Sequence, residues 1–282
     1  MIAISTICVC GAGTMGSGIA QVAAQHGFNT IQFDVNESML QKSHAAITKN
    51  LQLLVSKQKL TAEQQTAIMG RMVFTTDPAA CKADIIIEAI VEKPEAKVAL
   101  FQQMAAQNPD TTILASNTSS ISINTIAQHI PHPQRVAGLH FFNPAPLMKL
   151  VEVVKGTTTA NEVIQTLTGL CTQLGKTPVV CSDAPGFIVN RVARHYYLEA
   201  MHLVEQGLAT IETVDAVMEA SGFKMGPFKL MDLIGMDINF GVSQIVWDAL
   251  GKPARLKPSA LQQQKVAEGN LGRKTGKGFY NY

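Results

Sequence analysis

His140 and Glu152 are residue types suited to acid–base chemistry at neutral pH. His140 closes an apolar run, RVAGLH (135–140), and Glu152 stands between Val151 and Val153 in the next, LVEVVKG (150–156). An imidazole titrates near neutrality and is the common general base there. A carboxylate on its second ring nitrogen fixes the tautomer and stabilises the imidazolium. A charge among valines also needs a partner, because an unpaired buried carboxylate is costly. A histidine at a strand end is otherwise a structural residue, so the companion Glu152 is what points to chemistry.

A second constellation is Gly11-Ala12-Gly13-Thr14-Met15-Gly16, directly after an apolar run ending at Cys10. Gly11 allows a tight turn, Gly13 lets the backbone approach a pyrophosphate, and Gly16 lets a helix pack closely on the strand. The helix that follows offers unpaired N–H groups and a partial positive charge to phosphates. Asp34 ends the next strand-like run, 18 residues past Gly16. A carboxylate there accepts from ribose hydroxyls and repels a 2′-phosphate, which favours NAD over NADP. The glycine pattern alone is common; the strand before it, the helix after it and the acid beyond make it a dinucleotide site.

Three further groups follow strand-like runs or open a helix. Glu92 and Lys97 come after ADIIIEA (83–89) and are expected to start the next helix. Ligands of a doubly wound sheet lie beyond the carboxyl ends of its strands, so both are placed to touch a cofactor. Both are also ordinary surface choices near a helix start. Ser116-Asn117-Thr118-Ser119-Ser120 follows TTILA and should face the same crevice, unless it only forms a turn and helix cap. No G-x-S-x-G elbow is present, which disfavours a serine-nucleophile hydrolase. Asn190, in PGFIVNR (185–191), opens a helix; it is placed to hydrogen-bond substrate across a cleft or to satisfy backbone groups.

The elements that must hold these groups fall into two textures. Up to residue 182, strand-like runs at 2–10, 29–34, 71–76, 83–89, 111–116, 135–140, 150–156 and 177–182 alternate with helical patterns at 14–27, 37–71, 93–107 and 161–174. That alternation predicts a Rossmann-like α/β domain with a mostly parallel sheet over residues 1–182. Residues 183–282 show helical patterns only, at 211–221, 230–250 and 257–268 after a first helix. In that first helix Ile188, Val192, Tyr196, Ala200 and Leu203 make an apolar stripe and Gly207 a C-terminal stop. The turn-rich Asp183-Ala184-Pro185-Gly186 joins the two.

Composition narrows the classes. Hydrophobic residues make up 46% of the chain, charged residues 16%, and the formal net charge is +2. A disordered or fibrous protein is excluded, and a polybasic nucleic-acid binder is disfavoured. The five cysteines, at positions 8, 10, 81, 171 and 181, are odd in number and form no C-x-x-C pair, so neither a metal site nor a disulfide framework is expected. No Lys or Arg precedes Lys42, and no run of 18 apolar residues occurs. The expectation is a cytoplasmic protein with no membrane partner.

The ordered blocks GAGTMGSGIAQ, ASNTSS, HFFNPAP, MKLVEV, APGFIVNR, MGPFKLMDLIG and LGRKTGKGFY resemble those of L-3-hydroxyacyl-CoA dehydrogenases, and in particular the short bacterial 3-hydroxybutyryl-CoA dehydrogenases. The resemblance covers essentially the whole chain. It implies a Rossmann-like domain followed by a smaller all-α domain that carries substrate contacts and makes a homodimer. It implies His140 as catalytic base, Glu152 as its electrostatic partner, Ser119 on the substrate's reacting oxygen, and Asn190 orienting substrate or His140. Gly11, Ala12, Gly13, Thr14, Met15, Gly16, Asp34, Glu92, Lys97, Ser119, Asn143 and Lys274 would touch NAD. Lys57 falls where the family meets coenzyme A; Asn50 stands where some members place a serine, and both residue types can donate a hydrogen bond. Lys42, Lys49 and Lys57 also fall within about 80° of one another around a helix, a phosphate-facing stripe or simply a solvated face.

The reaction so implied is reversible oxidation of the C3 hydroxyl of a short-chain (S)-3-hydroxyacyl-CoA by NAD. Two other classes compete. Dehydrogenases of free hydroxy acids share the scaffold, and Asn50 and Lys57 distinguish them. A non-enzymatic NAD-binding protein is the third, disfavoured by the full set of Ser119, His140, Glu152 and Asn190.

Overall fold

The computed structural model describes residues 4–282. Its described residues divide into two compact units, the first ending at Asp183 and the second spanning Ala184–Tyr282.

The first unit is built on one eight-stranded sheet. Its strands are β1 (Thr6–Cys10), β2 (Asn29–Phe33), β3 (Met72–Thr75), β4 (Ile85–Glu88), β5 (Ile113–Ser116), β6 (Val136–Phe141), β7 (Leu150–Lys155) and β8 (Thr177–Ser182). Their spatial order is β3-β2-β1-β4-β5-β6-β7-β8. Pairings from β3 through β6 are parallel, β7 runs antiparallel to β6, and β8 parallels β7. β4, β5 and β6 are buried at every position, the mark of a sheet covered on both faces. β8 carries Pro178 and several exposed side chains, as an edge strand can.

Six helices accompany the sheet: α1 (Thr14–Gln25), α2 (Glu37–Ser56), α3 (Ala62–Gly70), α4 (Pro94–Gln107), α5 (Ile123–Ala127) and α6 (Asn161–Gln173). Ile19, Ala23, Ile47, Leu51, Leu167 and Leu170 from these helices join Ile7, Ile85, Ile87, Leu139 and Val151 in one core.

All eight expected strands are present, the first beginning at Thr6; residues 2–3 of that expected run lie outside the described residues. The single helix expected over 37–71 is two. Gln58 adopts φ 55°, and Thr61 then starts α3 with a reciprocal capping box to Gln64. The short α5, capped by the Ser122 side chain, had no expectation attached to it.

The second unit is helical: α7 (Val189–Glu205), α8 (Ile211–Ala220), α9 (Pro227–Ile234), α10 (Met236–Ala249) and α11 (Ala260–Ala267). The helix expected over 230–250 is broken at Gly235, whose φ of 102° ends α9 and starts α10. The expected stripe on α7 is rotated. Ala200 of that stripe is buried and Tyr196 packs against the core, but Ile188 and Val192 (65%) are exposed, and Arg194, Tyr197, Leu198 and Met201 share the inner face. Arg194 is accommodated there because its guanidinium donates to Asn239 O and Ser243 Oγ and lies 4.9 Å from the Tyr197 ring centre. Bonding lets a charged residue occupy the inner face. Burial nonetheless lowers the Arg194 pKa to about 10. Gly207 follows α7 with φ 69°, a left-handed stop.

Candidate active site

His140 and Glu152 are directly opposite residues of the antiparallel β6–β7 ladder. His140 Nδ1 lies 2.7 Å from Glu152 Oε2. His140 is 6% exposed and Glu152 1%. The Phe142 ring leans over the imidazole with centres 4.5 Å apart. A carboxylate can only accept, so Nδ1 carries the proton in this contact and the ring's basic lone pair lies on Nε2. Asn117 accepts from Phe141 N at 2.8 Å and so ties the end of β6 to the loop after β5.

The glycine turn lies at the carboxyl end of β1. A Cβ on Gly11 would come 2.5 Å from Ala89 O, and one on Gly16 2.0 Å from Gly11 O, so both positions are closed to any side chain. A Cβ on Gly13 would meet nothing within 4 Å. Gly13 is the N-cap of α1 and supplies no side-chain cap, and the first turn holds no acid. This leaves a helix N-terminus with space before it, the setting for a phosphate. Asp34 comes just after β2 and accepts from Ala12 N at 2.8 Å and Asn36 N at 2.9 Å. These residues fit a dinucleotide: a bare helix end for pyrophosphate and a carboxylate at the adjacent strand end for ribose.

Lys97 is not the solvated helix-start residue its type also allowed, whereas Glu92 remains exposed. Glu92 precedes α4, for which Lys93 is the N-cap, and Lys97 is 1% exposed. Lys97 Nζ bridges Glu88 Oε1 at 2.6 Å and Glu92 Oε2 at 3.1 Å. Glu88, the last residue of β4, is fully buried and also accepts from Ile90 N at 2.7 Å and Ser116 Oγ at 2.6 Å. Glu92 accepts from Thr118 Oγ1 at 2.5 Å, Ser119 N at 3.1 Å and Ser120 Oγ at 3.0 Å. Burial pushes the Glu92 carboxyl up, but Lys97 and the hydroxyls outweigh it, and the group stays below its ordinary range. The SNTSS loop is therefore held from beneath by a carboxylate. Sequence reasoning passed over Glu88; the available signal was an acid closing the run IIIE at the carboxyl end of a strand.

The remaining positions are more scattered. Asn143 is exposed and joined to Pro144 by a cis peptide bond. Asn50 donates to Gln21 Oε1 at 3.2 Å, and Lys57 is the C-cap of α2. Lys42, Lys49 and Lys57 are all exposed. Asn190 lies in the first turn of α7 and its O accepts from Arg194 Nε. Lys274 belongs to the second unit, where its Nζ lies 2.5 and 2.6 Å from the Asp237 oxygens. Burial raises the Asp237 carboxyl, but the Lys274 contact and nearby backbone N–H groups bring it below its ordinary range. Among the described residues no group of three or more His, Cys, Asp and Glu is placed to hold a metal ion. No described helix is long and apolar enough to cross a membrane.

Residues 6–184 match the family model for the 3-hydroxyacyl-CoA dehydrogenase NAD binding domain, and residues 186–282 match the C-terminal domain of the same family. The chain belongs to the 3-hydroxyacyl-CoA dehydrogenase family. A 3-hydroxyadipyl-CoA dehydrogenase of Escherichia coli is 48% identical over 284 residues; the match takes in 100% of this chain but 60% of that protein's length. A probable 3-hydroxybutyryl-CoA dehydrogenase of Deinococcus radiodurans is 42% identical, with 97% of this chain and 99% of the relative covered. Among solved structures, an (S)-3-hydroxybutyryl-CoA dehydrogenase of Ralstonia eutropha superposes with a TM-score of 0.95 at 37% identity, covering 99% of both chains. The first unit is thus the family's NAD-binding domain, and the helical unit its C-terminal domain.

Proposed function

We propose that the protein catalyses reversible oxidation of the C3 hydroxyl of a short-chain (S)-3-hydroxyacyl-CoA, with NAD as partner and His140 as base. The observation that carries this is the buried His140–Glu152 contact of 2.7 Å on β6 and β7. It belongs to the same sheet as the glycine turn, and β6 parallels β1 through β4 and β5.

NAD when bound supplies the acceptor for the C3 hydrogen and its electron pair. Gly11 to Gly16 would hold its phosphates and Asp34 a ribose, with Glu92, Ser119, Asn143 and Lys274 at further points of contact; Lys97, expected among these contacts, is buried behind Glu92 and would act through it. His140 Nε2 takes the proton from the C3 hydroxyl as C3 and its oxygen become a carbonyl. Glu152 stabilises the imidazolium that forms, which in water-excluded surroundings is worth more than at a surface. Ser119 donates to the reacting oxygen, its backbone N held by Glu92. Asn190 orients substrate or His140, and Asn50 and Lys57 meet coenzyme A. The products are a 3-oxoacyl-CoA and NADH, with one proton left on His140. The short chain length draws its support from the hydroxybutyryl-CoA relatives of matching length.

The helical unit would provide substrate contacts and a homodimer surface. Ile188, Val192, Leu233, Ile238 and Ile245 are large apolar residues exposed on it. A cytoplasmic location suits five cysteines that are all free thiols.

The deciding assay is NADH oxidation with acetoacetyl-CoA beside NADPH and beside free acetoacetate. Turnover with NADH and the thioester alone is expected. Equal turnover of the free acid would move the assignment to free hydroxy acids. NADH binding with no turnover of either would make the protein a binder rather than an enzyme.

A further inference from the structure

Glu88 lies under the cofactor path that the sheet order prescribes. With phosphates on the Gly11–Gly16 turn at β1 and the reacting ring within reach of His140 on β6, a dinucleotide must pass over the ends of β4 and β5, the strands between them. This step rests on the function proposed above. The group beneath that path is Glu88, Lys97 and Glu92, linked at 2.6 and 3.1 Å through Lys97 Nζ.

Both acids of the cluster face the same ammonium. Glu88 receives Ile90 N–H, the Lys97 ammonium and the Ser116 hydroxyl, all donors. Glu92 receives Lys97, the Thr118 and Ser120 hydroxyls and Ser119 N–H, again all donors. An ammonium 2.6 and 3.1 Å away favours the charged form of both acids. Two carboxylates and one ammonium leave one uncompensated negative charge. Glu88 and Lys97 are the buried pair, and Glu92, whose side chain is 36% exposed, carries the remaining charge at the rim.

We infer that Glu88 is a positioning residue that makes this cluster anionic and thereby biases the site toward oxidised cofactor. The nicotinamide ring is cationic in NAD⁺ and neutral in NADH. A fixed negative charge beneath it favours the cation and does little for the neutral form. Glu88 acts through Lys97: it absorbs the ammonium charge and leaves the charge of Glu92 uncancelled at the edge of the site.

The test is Kd for NAD⁺ and for NADH, measured by calorimetric and fluorescence titration on the full chain. Glu88→Gln leaves one ammonium against one carboxylate. The ratio Kd(NAD⁺)/Kd(NADH) is expected to rise by roughly tenfold, the effect of a unit charge across about 12 Å at an effective dielectric constant of about 20. Glu88→Gln/Lys97→Met restores the net negative charge without the ion pair, and its ratio is expected to return to within about threefold of wild type. A purely structural role for Glu88 would weaken both cofactors together and leave the ratio unchanged in both variants; that result overturns the inference. Should Glu88→Gln fail to fold, Glu92→Gln removes the same charge from a half-exposed position. An upward shift there that is cancelled in Glu92→Gln/Lys97→Met, where Glu88 is the remaining charge of the cluster, supports the inference; an unchanged ratio in Glu92→Gln, or no return in the double variant, overturns it. A wild-type protein that binds neither NAD⁺ nor NADH would instead sink the function on which the inference stands.

Discussion

Buried carboxylates occur in both units, and their partners differ. In the first unit Glu152 meets the His140 ring, and Glu88 meets the Lys97 ammonium. In the second, Asp215 accepts from Phe228 N, Lys229 N and the Tyr280 hydroxyl, and Asp232 from Phe279 N, Tyr280 N and the Tyr282 hydroxyl. Backbone N–H groups cannot change protonation or move far. Carboxylates held by them pin chain segments together. Asp232 fits so closely that a Cβ on Gly272 or Gly278 would come 2.2 and 2.1 Å from its atoms. Carboxylates held by imidazole or ammonium sit beside groups whose charge can change or be used. On the function proposed above, an imidazole or ammonium partner marks the carboxylates assigned to chemistry, although Glu88 also accepts from Ile90 N and both aspartates from tyrosine hydroxyls.

Substitutions can break this contrast, beginning with the largest effect. His140→Gln is expected to lower kcat by about 10²–10⁴-fold with little change in KM or in melting temperature. Glu152→Gln should act in the same direction, mainly through kcat. Near-normal kcat in His140→Gln would remove the base from the scheme.

Asp232→Asn should do the reverse. It leaves backbone donors facing an amide, at a cost of roughly 2–3 kcal/mol, and a calorimetric melting temperature about 10 °C lower. Turnover per folded molecule at low temperature should hold. A variant that melts normally but turns over slowly would erase the distinction between the two units.

Gly13→Ala sharpens the contrast inside the first unit, because a Cβ there meets no protein atom. Melting should be unchanged while NADH affinity falls by about tenfold or more, as the methyl takes space needed by phosphate. Unchanged NADH affinity would place the phosphates elsewhere.

The smallest effect concerns Asp84, just before β4 and thus at the opposite end of that strand from Glu88. Burial raises its carboxyl, but N–H groups of Ser5 and Thr6 and the Ser5 hydroxyl bring it below the ordinary value. A folded-state pKa below the unfolded one adds stability above the unfolded value, lost as pH falls through the folded one. Asp84→Asn should therefore be less stable at pH 7 by under about 1 kcal/mol and lose less than wild type between about pH 5 and 2. Activity should not change. Parallel acid-unfolding curves for the two proteins would contradict this.

The sheet was legible in the sequence because each strand is a short β-branched run closed by polar or turn residues. His140 and Glu152 were legible for a related reason: one charged residue in an apolar run must have a partner. The interruption after Lys57 was not legible, because Gln58 takes a left-handed conformation without glycine and only the Thr61–Gln64 cap marks the restart. The Gly235 break carried its signal in the open, but the apolar period continues on both sides and hides it. On α7 an arginine occupies the inner face only because Asn239 and Ser243 receive it from a distant helix. Glu88 was missed because an acid at a strand end looks solvated until Lys97 is known to reach it.

The facing of His140 and Glu152 across an antiparallel ladder has a consequence for how the chain tolerates changes in length. Side chains alternate along a strand, so a slip of one residue would set Val151 or Val153 opposite the imidazole and turn Glu152 to the other face. An insertion among residues 142–149 is either absorbed wholly in the connection, leaving the pair intact, or passed into the ladder, abolishing it. A library of insertions there should sort into active and dead clones with few between.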